Sequence, residues 1–147
     1  MAKRELILND IETSLAAIKV VGGFNNNIGV VTRESENIEH YDITDYPLAI
    51  ISWSDEDKEG EDVGFDCIEA FLTITIRGAV YATATIETVL NLFLDDIEVA
   101  LVTDPERSGT ADLTAPIAIR VYQGPREHTL VFDFTFLLKY SYARGVP

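Results

Sequence analysis

Between Thr85 and Gly109 the chain reads TIETVLNLFLDDIEVALVTDPERSG, and its apolar residues return every three or four positions. Ile86, Leu90, Phe93, Ile97, Ala100 and Leu101 share one helical face, while Glu87, Asn91, Asp95 and Glu98 fall largely elsewhere. The segment therefore predicts an amphipathic helix packed on another layer. Asp104 precedes Pro105, which drives the residue before it out of the α region, so the helix ends by about that point. A second stripe, Leu8, Ile11, Leu15 and Ile18, predicts an N-terminal helix over roughly residues 3–20, with Gly22 and Gly23 just past its end.

Elsewhere the period drops to two. From Cys67 to Arg77, Ile68, Ala70, Leu72, Ile74 and Ile76 alternate with Glu69, Phe71, Thr73, Thr75 and Arg77, as in a half-buried strand. Leu48 to Trp53 is an apolar run behind Pro47, whose missing donor is tolerated at a strand start. Asn25, Asn26 and Asn27 favour a loop, with a short strand around Ile28 to Thr32 after it. Ile117, Ile119 and Val121 alternate with Ala118, Arg120 and Tyr122, and Gly124-Pro125 turns the chain into a final strand. There Leu130, Phe132, Phe134, Phe136, Leu138, Tyr140 and Tyr142 share a face, over roughly 40 Å at about 3.3 Å per residue. The order is α-β-β-β-α-β-β. It predicts a single α+β domain over residues 1–147, with two helices packed on one face of a mainly antiparallel sheet, the other face and the edges remaining for neighbouring subunits.

Composition supports folding: 147 residues with 47% hydrophobic and 24% charged positions suit one core-bearing domain. Charge narrows the partners. Eleven basic and twenty-five acidic residues give a net charge of −14, and the basic ones are scattered, which argues against nucleic-acid binding. The single cysteine, Cys67, has no internal partner for a bridge and reads as a small packed residue or a partly exposed thiol. No apolar run approaches the roughly 20 residues of a membrane span, and MAKRELILNDIE acquires acids too early for a signal peptide. A cytoplasmic product and no membrane partner are the expectations.

The acidic segment SDEDKEGED places Asp55, Glu56, Asp57, Glu59, Glu61 and Asp62 around one lysine, which predicts a solvated loop between strands. Asp55, Asp57, Glu59, Gly60 and Asp66 also fall at positions 1, 3, 5, 6 and 12 of an EF-hand-like calcium loop. Glu at position 5, Asp in place of the bidentate Glu at position 12, and strand-like flanks depart from that pattern. His40 and His128 lack a second His or Cys at metal-ligand spacing. Asp95, Asp96 and Glu98 read as an exposed helix face, because adjacent helical positions diverge by about 100°. No hydrolase, P-loop or dinucleotide-binding motif occurs, so neither an enzyme nor a cofactor is expected. Arg33, Arg77, Arg120, Arg126 and Lys139, lone cations in an acidic chain, should meet acids within the subunit or across an interface.

The run DDIEVALVTDPERSGTADL, followed by two closing strands, resembles a pattern of bacteriophage tail terminators, the family that includes the lambda-type minor tail protein U and tail-completion proteins. In that family a helix carrying an IExAL segment leads to a turn with Asp and Gly; the matching positions here are Ile97, Glu98, Ala100, Leu101, Asp104 and Gly109. The likeness extends more loosely through the N-terminal helix, YPLAIISW and DCIEAFLTITIRG. It implies a homo-oligomer, a hexameric ring that caps the tail tube, stops its growth and offers a surface to a neck or connector protein. DNA would pass through the lumen without specific binding, and acids lining it would repel phosphate. The protein would reside at the head-proximal end of the virion tail, and in the host cytoplasm during assembly. The rival expectations are another neck or head-completion adaptor and, from a different class, a calcium- or metal-binding module or hydrolase built on residues 54–66.

Overall fold

The strand and helix patterns close into one sheet with both helices on the same face. The computed structural model describes residues 2–33, 37–59, 67–143 and 145–147. Helix α1 spans Lys3–Ala16 and α2 Ile86–Val102; the strands are β1 Val30–Thr32, β2 Leu48–Glu59, β3 Cys67–Tyr81, β4 Leu113–Gln123 and β5 Thr129–Ala143. They lie in the order β1-β2-β3-β5-β4, with only the β1–β2 pair parallel. The predicted α+β order and the one-sided placement of the helices both hold.

The core sits between helices and sheet. Ile7, Leu8, Ile11 and Leu15 of α1 and Leu90, Phe93, Ile97 and Leu101 of α2 pack on Leu72, Ile74, Ile76, Phe132, Phe134, Phe136, Leu138 and Tyr140. Each such side chain taken fully from water contributes roughly 1.5–3 kcal/mol, so the helix stripes and the alternating rows of β3 and β5 share the driving force. Gly78 faces Phe132 across the β3–β5 ladder, and a Cβ there would lie 2.4 Å from the Phe132 ring. The ring occupies the space the glycine leaves and meets Phe93 of α2 edge-on, with centroids 5.7 Å apart.

Three local expectations change. Helix α1 stops at Ala16 rather than near residue 20, because Ile18 turns into the core and its carbonyl accepts from the Ile28 N–H at 3.0 Å. Gly23, at φ 94, closes the short 3-10 turn Val20–Gly22 instead. The outer sheet face is also partly covered: Ile38, with Tyr41 and Tyr46, packs on Leu48, Ile50, Ala79 and Val131. Finally, the acids after Trp53 belong to a strand. A register shift between Trp53 and Asp55 lets β2 continue to Glu59 against β3, where a loop was expected. Gly60, Glu61, Asp62 and Asp66 lie outside the described residues.

Candidate functional site

That shift decides where each acid of β2 points. Trp53 lies opposite Ile74 on the helix face; with one residue inserted, Glu56 falls opposite Leu72 on that same face, and Asp55, Asp57 and Glu59 are left on the outer one. Glu56, expected in a solvated acidic loop, therefore has a nearly buried side chain, 6% exposed, paired with Arg4 of α1 and the Tyr140 hydroxyl of β5. Burial alone would raise its carboxyl, but the hydrogen bonds from Tyr140 and Arg4 outweigh it and hold it below the ordinary glutamate value. Burial, reinforced by the neighbouring carboxylate, pushes the Tyr140 phenol up. Arg4 also lies over Trp53, 4.9 Å from the ring centroid, and Lys58 lies over Tyr142.

Asp55, Asp57 and Glu59 are exposed. As alternate residues of an extended strand their α-carbons are spaced by about 6.6 Å, whereas a calcium loop wraps successive ligands around one ion. Among the described residues no group of three or more His, Cys, Asp or Glu is arranged to hold a metal. Cys67, His40 and His128 are exposed.

The cations sort by what they already hold. Arg33 grips Glu5 through two hydrogen bonds, 2.5 and 3.0 Å, and adds Asn9 at 2.8 Å, tying the β1 end to α1. The Glu5 carboxyl is held below its ordinary value chiefly by that hydrogen bond. Arg77 forks onto Asp133 at 2.8 and 3.0 Å. Lys139 reaches Glu69 at 3.4 Å and Arg126 reaches Asp42 at 3.5 Å, both near the surface and weakly held. Arg120 differs. It stands opposite Asp133, whose carboxylate is already engaged by Arg77, and it has no ion pair among the described residues.

Two buried charges escaped the sequence pattern. Asp96, grouped with Asp95 and Glu98 as an exposed acid, is 2% exposed and accepts four hydrogen bonds at 3.0 Å from the backbone and side-chain nitrogens of Asn25 and Asn26. It clamps the asparagine loop to α2. Arg107 is fully buried beyond the C-terminus of α2, where it donates to the Leu101 and Asp104 carbonyls and to Ser14 Oγ at 3.0 Å and pairs with Asp10 at 3.2 Å. Burial lowers its guanidinium pKa, against the opposing pull of Asp10 and Asp104. The signal for Arg107 was present: a basic residue just beyond a helix end satisfies the last carbonyls and the negative pole of the dipole.

Edge strand β4 is the other feature. Only Thr114 is buried along it; Ile117, Ile119, Val121 and Tyr122 are 44–55% exposed. Near its base Asn37, Ile38, Arg77, Tyr122 and Val131 line a shallow depression of about 330 Å³. Glu39 lines it as well, and the Arg77 guanidinium there is committed to Asp133.

The class thus defined is an α+β domain with two helices on one side of a five-stranded sheet and a long edge strand carrying exposed apolar residues. In fold it is similar to a chain of a solved structure, "Virion of native gene transfer agent (GTA) particle", with a TM-score of 0.54 and 14% sequence identity over 90% of this chain and 92% of that one. At that identity the likeness is one of fold. Comparison with protein families found no match, and neither did comparison with the curated proteins.

Proposed function

We propose that this chain is a virion structural protein of a long-tailed phage or phage-like particle and, within it, the tail terminator. The observation that carries the reading is the fold likeness to a virion chain, which spans nearly the whole of both partners. The finer role rests on Ile97, Glu98, Ala100, Leu101, Asp104 and Gly109, which match the terminator pattern at the C-terminal end of α2. Its work is recognition rather than catalysis. Copies of the chain form a closed ring, one surface of which is complementary to the end of the tail tube and another to a neck or connector protein. Exposed acids that face the lumen would repel DNA phosphates.

Electron microscopy of lysates from particles lacking this gene tests the role. Full heads beside unjoined tails of abnormal length are expected. Tails of normal length that fail to attach would move the assignment to a neck or head-completion adaptor, and intact infectious particles would defeat both.

A further inference from the structure

The two edges of the sheet differ in character. On β4 the regular segment is Ala118–Gln123, because Pro116 and the register shift at Ile117 interrupt the strand before it. Ile119 and Val121 lie opposite Phe134 and Phe132 and so belong to the helix face, where both are about half exposed. Arg120 and Tyr122 belong to the outer face. At the opposite edge, β1 pairs only with Leu48–Ile50 of β2. Among the described residues no strand covers the far edge of β2 from Trp53 to Glu59. That stretch presents half-exposed Trp53 on the helix face and Asp55, Asp57 and Glu59 on the outer face.

The two sets correspond. In a sheet that continues from one copy to the next, like faces align, since side chains alternate across a strand with a period of two. Ile119 and Val121 would then meet Trp53, and Arg120, which has no ion pair among the described residues of its own subunit, would meet the row Asp55, Asp57 and Glu59. We infer that copies of this chain join head to tail, the Ala118–Gln123 edge of one adding to the Trp53–Glu59 edge of the next. The contact is heterologous, so it propagates around a ring or along a filament rather than stopping at a dimer. This deepens the ring reading, on which it rests, by naming the surfaces.

Mixing two charge variants tests it. Arg120→Glu sets like charges together at every contact, and so does Asp55→Lys with Asp57→Lys in one chain. Each alone is expected to weaken self-association at least about tenfold and to run as a monomer by light scattering and native mass spectrometry where the unaltered chain is an oligomer. Thermal melting of each checks that it is folded. Arg120→Gln, which removes the attraction without setting a second acid beside Asp133, should also weaken assembly.

Mixed in equal amounts, the Arg120→Glu and the double-lysine chains regain opposite charges at every contact. They should form an oligomer of the original size with the two chains in equal share. A β4-to-β4 contact predicts something else: the double-lysine chain would assemble alone as the unaltered protein does. That result, a failure of the mixture to assemble, or an unaltered chain still monomeric at about 100 μM, overturns the inference. The ring reading is judged separately. Oligomers indifferent to these substitutions sink the edge assignment and leave the ring, whereas edge-dependent oligomers without a tail defect in the deletion lysate leave the contact and sink the terminator.

Discussion

Replacing Asp96 by alanine gives the sharpest test of the packing described above, because its neighbours Asp95 and Glu98 act as internal controls. The Asp96 carboxylate accepts four hydrogen bonds at 3.0 Å from Asn25 and Asn26. Hydrogen bonds to a charged group are worth about 1.5–3 kcal/mol each, so a fully enclosed carboxylate would set an upper bound of ~6–12 kcal/mol. Asn25 is exposed and Asn26 only half-buried, however, and water takes over most of these donors once the carboxylate is gone. Crediting between one and two bonds gives a loss of about 1.5–6 kcal/mol. At about 2–4 °C per kcal/mol for a chain of this size, Tm should fall by ~3–24 °C. Urea unfolding should show a lower midpoint with an unchanged slope, meaning that stability and not compactness has changed. Asp96→Asn keeps the shape but turns an amide NH2 toward one pair of donors, and should lose at least about half as much. Asp95→Ala and Glu98→Ala should stay within about 0.5 kcal/mol of the parent. If Asp96→Ala falls in that same narrow range, the clamp is not a stabilising element and the reasoning fails.

Arg107→Met should cost about 3–5 kcal/mol in urea unfolding, since it strands the Asp10 carboxylate and the last carbonyls of α2, and Arg107→Lys should not restore it because one ammonium cannot serve all those acceptors. Gly78→Ala should lose about 1–3 kcal/mol, the new Cβ having to displace the Phe132 ring and the Leu48 carbonyl 2.6 Å away. Glu56→Gln should change the shape of the stability profile with pH. Because the folded carboxyl titrates below its unfolded value, its contribution is whole above about pH 4.3 and disappears as the pH falls through the lower folded value. The Gln variant should therefore be less stable at neutral pH and flatter below about pH 4.3, and an acid-unfolding curve parallel to the parent's would contradict the Arg4–Glu56–Tyr140 arrangement.

Long, strongly periodic elements were legible from residues alone. Helix α2 and the alternating rows of β3 and β5 are buried where the pattern placed them, because burial of a repeating apolar face overrides local detail. What stayed hidden depended on single insertions or on distant partners. The register shift after Trp53 reverses the facing of every acid that follows, and nothing in SWSDEDKE marks it. Asp96 looked like its exposed neighbour because the asparagines that bury it lie some seventy positions away. The exposure of β4 was equally unreadable: Ile117, Ile119 and Val121 alternate as a core strand would, yet from Pro116 onward every residue of that edge strand is exposed.

The distribution of cations connects these local findings to assembly. Arg4, Arg33, Arg77 and Arg107 each neutralise an acid of their own subunit, so they fasten α1, the sheet and the end of α2 together and contribute little to meeting another copy. The surface that remains is strongly acidic, and copies carrying a net charge of −14 repel one another. Association then needs a place where repulsion is locally reversed and apolar surface is available, and β4 supplies both through Arg120 and the exposed Ile119 and Val121. Salt acts on the two terms in opposite directions. Screening beyond about 10 Å at 0.1 M relieves the general repulsion, while the Arg120 contact, made at close range and partly shielded by neighbouring side chains, weakens less. Added salt should accordingly favour the ring up to the point where the close contact is itself screened. A ring held by apolar surface alone would show no such upper limit, so the salt profile separates the apolar from the electrostatic share of the edge.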